Sequence, residues 1–496
     1  DRLDNSEAKL FEGLVSPLCA ILELYVSRTS VLYKARYESR AIYLQLVLSL
    51  LYKLMKHSTE PLEVLGVYGN VLLGFTWASH SEVQSSACLV FSVFFEEKSI
   101  EVLPFLEAYI KNLLSLLENE DSVVVDCGKY CLSALIAGAQ EFLSPYIEDI
   151  VLKVVKLKDS EHLLDIVPKA IPHRTLIQAL PSLSKAISEP SQLKNFYGLV
   201  KQLFVRVKQA DISAYSETLL SFFKNSLVML TEQNLKLKPS LDLAGSVTSG
   251  VSELALSLTP TQFKPLFLEV LECALEKTPE EDYNFQKLLG FFSLTNCLVS
   301  KLKGIFVEYL GYFLEVMVEV LSKTFEAFKE VTKKRKRNQT KKQLTINSLV
   351  LEFIQKCAVH DKDTFITDQK FEKLTECISS QLKMVGLKEK YLSYSETHTI
   401  PALKALVTST HDRAQWQSVN YKILLNTRSE HSEVRKASLL CIQSVLEEIG
   451  KDYASLLPDI MPFVLGSLED PSEGVVTHAR AILRQLEVFC GDELKQ

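Results

Sequence analysis

The sequence predicts an all-α chain built as a solenoid of stacked helix pairs, and three observations predict it. Apolar residues recur with helical spacing through nearly all of the 496 residues, turn-forming residues are scarce, and one two-helix unit returns about every 40 residues. Seventeen glycines and sixteen prolines fall well under their usual shares of roughly 7% and 5%. That shortage disfavours glycine-rich phosphate loops, collagen and disordered Pro/Gly linkers alike. Hydrophobic residues make up 47% of the chain, with 25 Phe and 18 Tyr, enough to bury large cores.

The helical period is read in runs such as Ile110, Leu113, Leu114 and Leu117, or Leu439, Leu440, Ile442, Val445 and Leu446, whose apolar residues share one helix face. Strand-like alternation bounded by Asn-Gly or Asp-Gly turns is missing. The repeat is clearest from Trp416 to Gly491. A helix around Tyr421–Thr427 is followed by a polar turn, and Val434-Arg435-Lys436-Ala437 opens a second helix that ends near Gly450. The unit then starts again: Leu456-Leu457-Pro458 leads to Leu468-Glu469-Asp470, and Val476-Thr477-His478-Ala479 opens the partner helix. Ala437 and Ala479 are 42 residues apart, inside the roughly 40–47 residue range of HEAT and armadillo units. An earlier copy runs from Leu103-Pro104 to Leu117, turns at Glu118-Asn119-Glu120-Asp121, and opens its second helix at Val124-Val125-Asp126-Cys127.

The copies share a physical logic. Proline is tolerated in a first helical turn, acidic turn residues favour a helix N-terminus, and a small residue (Cys127, Ala437, Ala479) lets paired helices approach closely. The expected fold is therefore a HEAT/armadillo-like α-solenoid of about a dozen helix pairs, each burying its apolar face against its neighbours. Its expected parts are N-terminal repeats over 1–171, middle repeats over 172–332, a basic loop at 333–342 and C-terminal repeats over 343–496. A softer break is marked by Pro168, Pro172 and Pro181.

Charge is concentrated in one place. Lys and Arg number 55 against 61 Asp and Glu, a net charge of −6. Seven of the basic residues fall within Lys333–Lys342 (KKRKRNQTKK), so the remainder carries 48 against 61, or −13. A general nucleic-acid coat is disfavoured. The basic run, Lys333, Lys334, Arg335, Lys336, Arg337, Lys341 and Lys342, admits three compatible readings: a solvated loop, an import signal, or a phosphate-contacting loop for RNA. It lacks interleaved aromatics, so contact with RNA there would be electrostatic and salt-sensitive. No uninterrupted apolar run reaches the roughly 18 residues of a membrane helix; Ala41–Met55 is broken by Gln45, Ser49 and Lys53. The chain opens at Asp1 without a signal-peptide pattern, and the expectation is a piece of a longer protein.

Enzymatic chemistry finds no constellation. Gly66, Gly69 and Gly74 lie in an apolar helical stretch without dinucleotide-loop spacing, and Gly450-Lys451 lacks the upstream glycine of a phosphate loop. The nine histidines are dispersed, and Ser182 with Lys185 is a common coincidence on polar helix faces. Ten cysteines are widely spaced, as reduced thiols serving as small hydrophobes. Cys127 and Cys131 share a helix face but not the two-residue spacing or second pair of a zinc knuckle. No catalytic residue, cofactor, metal, membrane or small-molecule substrate is expected, and Tyr391, Tyr394 and Trp416 are read as packing residues.

Three segments of the middle region, Phe263-Lys264-Pro265-Leu266-Phe267, Lys301-Leu302-Lys303-Gly304-Ile305-Phe306 and Tyr309-Leu310-Gly311-Tyr312, resemble the signature domain of the large HEAT-repeat protein of the small-subunit processome, a U-three snoRNA-associated family. The tail is similar to it as well, in Trp416, Asn420-Tyr421-Lys422-Ile423-Leu424-Leu425, Thr427-Arg428, Val434-Arg435, Leu456-Leu457-Pro458 and Leu468-Glu469-Asp470. The resemblance covers roughly Pro172–Gln496. It implies a nucleolar, non-catalytic scaffold for early pre-rRNA processing, linked to rDNA transcription. Its implied partners are other processome proteins, U-three snoRNA and the 5′ external spacer of pre-rRNA, contacted directly or through partners. The alternatives are a cytoplasmic HEAT-repeat adaptor and a nuclear transport factor.

Overall fold

The computed structural model describes residues 13–15, 17–22, 37–56, 61–96, 100–219, 221–222, 225–226, 237–276, 284–329, 337–362 and 365–490. Among them there is no strand. Contacts divide the chain into two compact units, Asp1–Ser226 and Leu227–Gln496.

The first unit contains α1 (Tyr37–Lys56), α2 (Pro61–Phe75), α3 (Ser81–Glu96), α4 (Leu103–Leu116), α5 (Ser122–Ala139), α6 (Ile147–Lys156), α7 (Glu161–Ala170), α8 (His173–Ala186), α9 (Pro190–Arg206) and the short α10 (Gln209–Ala214). One layer is α1, α3, α5, α7 and α9, each packed on the next. The other holds α2 against α4 and α6 against α8, with α2 lying on α3 and α4 on α5.

The second unit contains α11 (Leu237–Ser257), α12 (Pro260–Leu275), α13 (Phe285–Leu302), α14 (Gly304–Val307), α15 (Leu310–Phe328), α16 (Arg337–His360), α17 (Asp368–Gln381), α18 (Tyr391–Tyr394), α19 (Ile400–Thr408), α20 (Arg413–Asn426), α21 (Ser432–Ile449), α22 (Leu457–Gly466) and α23 (Glu473–Cys490). Here α11, α13, α16, α19, α21 and α23 make one layer, and α15, α17, α20 and α22 the other. The pairs α12/α13, α15/α16, α20/α21 and α22/α23 join the two layers. This is the predicted HEAT/armadillo-like α-solenoid.

Each helix is placed by one apolar stripe. Leu106, Tyr109, Ile110, Leu113 and Leu116 of α4 are all buried, as are Val434, Ala437, Cys441, Ile442 and Val445 of α21. Burying one such large side chain stabilises by about 1.5–3 kcal/mol. Turn chemistry sets the starts: Asp121 Oδ1 accepts from Val123 N at 2.8 Å and Asp412 Oδ1 from Ala414 N at 2.9 Å. Each bond satisfies an N–H that the helix leaves free. Pro104 and Pro458 stand in first turns as expected.

Close approach falls partly elsewhere than the sequence suggests. Ala437 and Ala479 are fully buried, but Cys127 is only half-buried. Its neighbour Gly128 meets α4 instead, where an added Cβ would stand 2.9 Å from Leu117 Cδ2. At Gly138 an added Cβ would stand 1.9 Å from the Phe95 carbonyl oxygen, so backbone meets backbone between α5 and α3.

Buried amides fix the register of the second unit. Asn296 Nδ2 donates to Leu349 O at 2.9 Å, linking α13 to α16; Asn347 Nδ2 donates to Tyr394 Oη at 2.8 Å; Gln381 Nε2 donates to Leu321 O at 3.0 Å, linking α17 to α15. A slide by one residue would strand these groups, each at a cost of about 1–3 kcal/mol.

Pro168 lies in the last turn of α7, Pro172 just before α8 and Pro181 inside α8, so all three sit within the first unit. The boundary between the two compact units falls at Ser226/Leu227. Residues 337–342 of the basic stretch open α16, inside the second unit. The apolar stretch Ser122–Lys156 has the hydropathy of a membrane helix. It is divided between α5 and α6 by a 3-10 turn over Gln140–Tyr146 that carries Pro145 and a Gln140 φ of 38°.

Gly138→Ala should destabilise the first unit by more than about 2 kcal/mol, because backbone cannot yield to the new methyl group. Gly198→Ala, at an exposed α9 position with open space around it, should stabilise by about 0.5–1 kcal/mol. Urea unfolding of both variants checks the pair.

Candidate interaction surfaces

Of the seven basic residues singled out in the sequence, Lys333, Lys334, Arg335 and Lys336 lie outside the described residues. Arg337, Lys341 and Lys342 belong to the first turns of α16, not to a loop. The physical reason is that Lys, Arg and Gln are good helix formers, and a solvated first turn needs no apolar stripe to remain helical once Ile346, Val350, Phe353 and Ile354 anchor the rest. Lys341 and Lys342 are exposed, and the Lys342 ammonium sits 5.0 Å from the centre of the Phe285 ring on α13. Cations at a helix N-terminus are opposed by the helix dipole, which leaves them favourably placed for an anion.

The three middle segments that carry the family resemblance converge in space. Phe263 and Phe267 of α12, Phe306 of α14, and Tyr309 and Phe313 at the start of α15 form one aromatic cluster with Phe291 and Phe292 of α13. Phe267 is its centre, with ring centroids 5.1 Å from Tyr309, 5.5 Å from Phe306 and 5.9 Å from Phe291. Phe353 extends it into α16 at 5.2 Å from Phe313. Most of these contacts are edge-to-face, the arrangement that ring quadrupoles favour, worth about 0.5–1.5 kcal/mol per pair beyond burial. At the rim, the Lys264 ammonium lies 5.6 Å from the Tyr312 ring.

The tail segments converge too. Arg435 at the start of α21 grips Asp470 after α22, Nε to Oδ2 at 2.6 Å and Nη2 to Oδ1 at 2.8 Å. Its Nη1 also donates to the carbonyls of Ser429 and Glu430, at 2.9 and 3.1 Å. Asp470 Oδ1 in turn accepts from Ser472 N at 2.8 Å. One guanidinium thereby joins the turns of two successive helix pairs. The Arg435 hydrogen bonds hold the Asp470 carboxyl below the usual carboxylate range. Trp416 is buried, and its indole N–H donates to Val407 O at 2.9 Å. Tyr391 Oη donates to Leu382 O at 2.6 Å, and Tyr394 receives the Asn347 amide, so these aromatics are packing residues. Tyr421 and Leu425, by contrast, face solvent.

No group of three metal-ligating side chains occurs among the described residues. Cys131 and Cys441 are fully buried, and burial pushes the Cys441 thiol up to about 12, which makes it an inert hydrophobe. Ser182 Oγ donates to Glu148 Oε1 at 2.5 Å, tying α8 to α6.

Sequence reading missed the buried amides Asn296, Asn347 and Gln381. The available signal was a polar residue on an apolar stripe: Asn347 stands three residues from both Leu344 and Val350. It also missed His360 and Lys362, which reach the turn at Lys303 only through folding.

These features define a helical-repeat protein whose marked residues build packing cores. The model of the BP28CT (NUC211) domain matches residues 211–366, the stretch that holds the aromatic cluster. HEAT repeat-containing protein 1 of Homo sapiens is 26% identical over 425 residues, covering 79% of this chain and 19% of the relative. U3 small nucleolar RNA-associated protein 10 of Chaetomium globosum is 22% identical over 333 residues, covering 61% and 18%; that of Aspergillus niger is 23% identical over 278 residues, covering 53% and 15%. The chain is thus a homologue of these proteins and spans about a fifth of their length or less. Among solved structures, importin beta is similar at 12% identity and a TM-score of 0.43, covering 97% of this chain and 60% of that one.

Asp470→Asn should cost about 1–3 kcal/mol at neutral pH, since it weakens a largely buried pair. The folded-state pKa is depressed, so this contribution is present above the ordinary aspartate range near 4 and is lost as pH falls below it. Denaturant titrations of both proteins at pH 7 and pH 3 check this: the gap narrows at the lower pH.

Proposed function

We propose that this chain is part of a non-catalytic scaffold in ribosome biogenesis, specifically of the small-subunit processome. In that role it acts in nucleolar pre-rRNA processing and is linked to rDNA transcription. One observation carries the reading: residues 211–366 match the BP28CT domain, within a chain whose relatives include proteins named for association with U3 small nucleolar RNA. The architecture supports it, because stacked helix pairs offer long surfaces to several partners without supplying catalytic groups. The partners are other processome proteins, with U3 snoRNA and the 5′ external spacer reached directly or through them. Arg337, Lys341 and Lys342, with Lys333–Lys336 before them, supply the phosphate-contacting or import-signal charge.

The test is to tag the full-length protein in its native cells, recover it at moderate salt and sequence the bound RNA. Enrichment of U3 snoRNA and 5′ spacer is the expected result, and cytoplasmic partners without these RNAs would refute the reading. Replacing the seven basic residues by Gln should flatten the salt dependence of any direct RNA binding.

A further inference from the structure

A depression of about 710 Å³ lies where the turn between α13 and α14 meets the C-terminal end of α16, lined by Leu302, Lys303, Ile305, Glu308, His360, Lys362 and Phe365. The same segment that sends Phe306 into the aromatic cluster leaves Ile305 71% exposed. An aliphatic side chain so bare, beside Leu302 and Phe365, has apolar surface to give to a ligand.

The charges around it are unspent. Lys301 and Lys356, close by in sequence, pair with Glu253 at 2.6 Å and Glu352 at 2.7 Å. Lys303 and Lys362 have no ion pair among the described residues, and both are exposed. Glu308 is the one carboxylate among the lining residues. Burial first, and then Lys303 and Lys362, hold His360 below the ordinary histidine range, in keeping with a local positive potential. The backbone is also held there against its preference. Lys303 adopts φ 52° and ψ −128°, a region that residues with a Cβ avoid and that costs on the order of 1–3 kcal/mol. The adjoining Gly304 is fixed by close approach, since a Cβ would stand 3.1 Å from the His360 carbonyl oxygen.

We propose that this depression binds a short acidic segment of a partner protein, seating one large apolar side chain against Leu302, Ile305 and Phe365 and placing its carboxylates on Lys303 and Lys362. A nucleic acid fits the same charges less well, because an aliphatic wall with one half-buried phenylalanine offers no stacking platform. The proposal stands apart from the nucleolar reading, and its test uses the purified chain alone.

The probe is a fluorescein-labelled dodecapeptide with a central Leu-Phe flanked by glutamates, titrated by fluorescence anisotropy. Saturable binding is expected, weakened at least about tenfold by the double variant Lys303→Glu/Lys362→Glu and abolished when Leu-Phe is replaced by Ser-Ser. Lys303→Gly removes one charge at a backbone conformation that glycine adopts freely. It should weaken binding several-fold while its melting temperature stays equal to or above that of the parent. No saturable binding, equal affinity in all variants, or displacement of the peptide by a twelve-nucleotide single-stranded RNA at lower concentration would each overturn the proposal.

Discussion

In each unit an amphipathic helix is stable only because neighbours in its own layer and a partner in the other layer cover its apolar face. Isolated helices shorter than about 12–15 residues are marginal in water and most helical stability in proteins comes from packing of the apolar face, so the stack is the stabilising unit. Where the cover is densest, rings from α12, α13, α14, α15 and α16 interlock around Phe267. The register of that region is set by few groups, since apolar contacts alone tolerate sliding. Asn296, Asn347 and Gln381 supply direction, and Arg435 with Asp470 does the same between the last two helix pairs.

This arrangement separates the residues that carry the family resemblance from those left at the surface. Phe263, Phe267, Phe306 and Tyr309 face inward, and so do Trp416 and Val434. Side chains beside them on the same segments, Lys303, Ile305, Tyr312, Tyr421 and Leu425, remain exposed. The two classes depend on each other: the inward residues make the stack rigid, and the stack fixes the position of the exposed ones. Because each helix pair contacts chiefly its neighbours, local damage should stay local.

Much of the fold was legible in the sequence because one-face periodicity survives in degenerate repeats. Ala437 and Ala479, 42 residues apart, mark equivalent points in α21 and α23, and Asp121 announces the start of α5. The first turns of α16 were not legible, since Arg337–Lys342 is helical without any apolar residue. Gly128 was hidden for a different reason: which small residue meets a neighbour depends on helix rotation, and rotation is a tertiary property. The depression at Lys303 was invisible because its parts come from residues 302–308 and 360–365, which only the packing of α16 brings together.

The most direct test of the account is hydrogen exchange on Phe267→Ala. A loss of about 3–5 kcal/mol of stability is expected, with protection falling together in α12, α13, α15 and α16 while α20–α23 keep theirs. Loss of protection confined to α12 would contradict it, because Phe267 would then be an ordinary buried side chain and not the centre of the cluster.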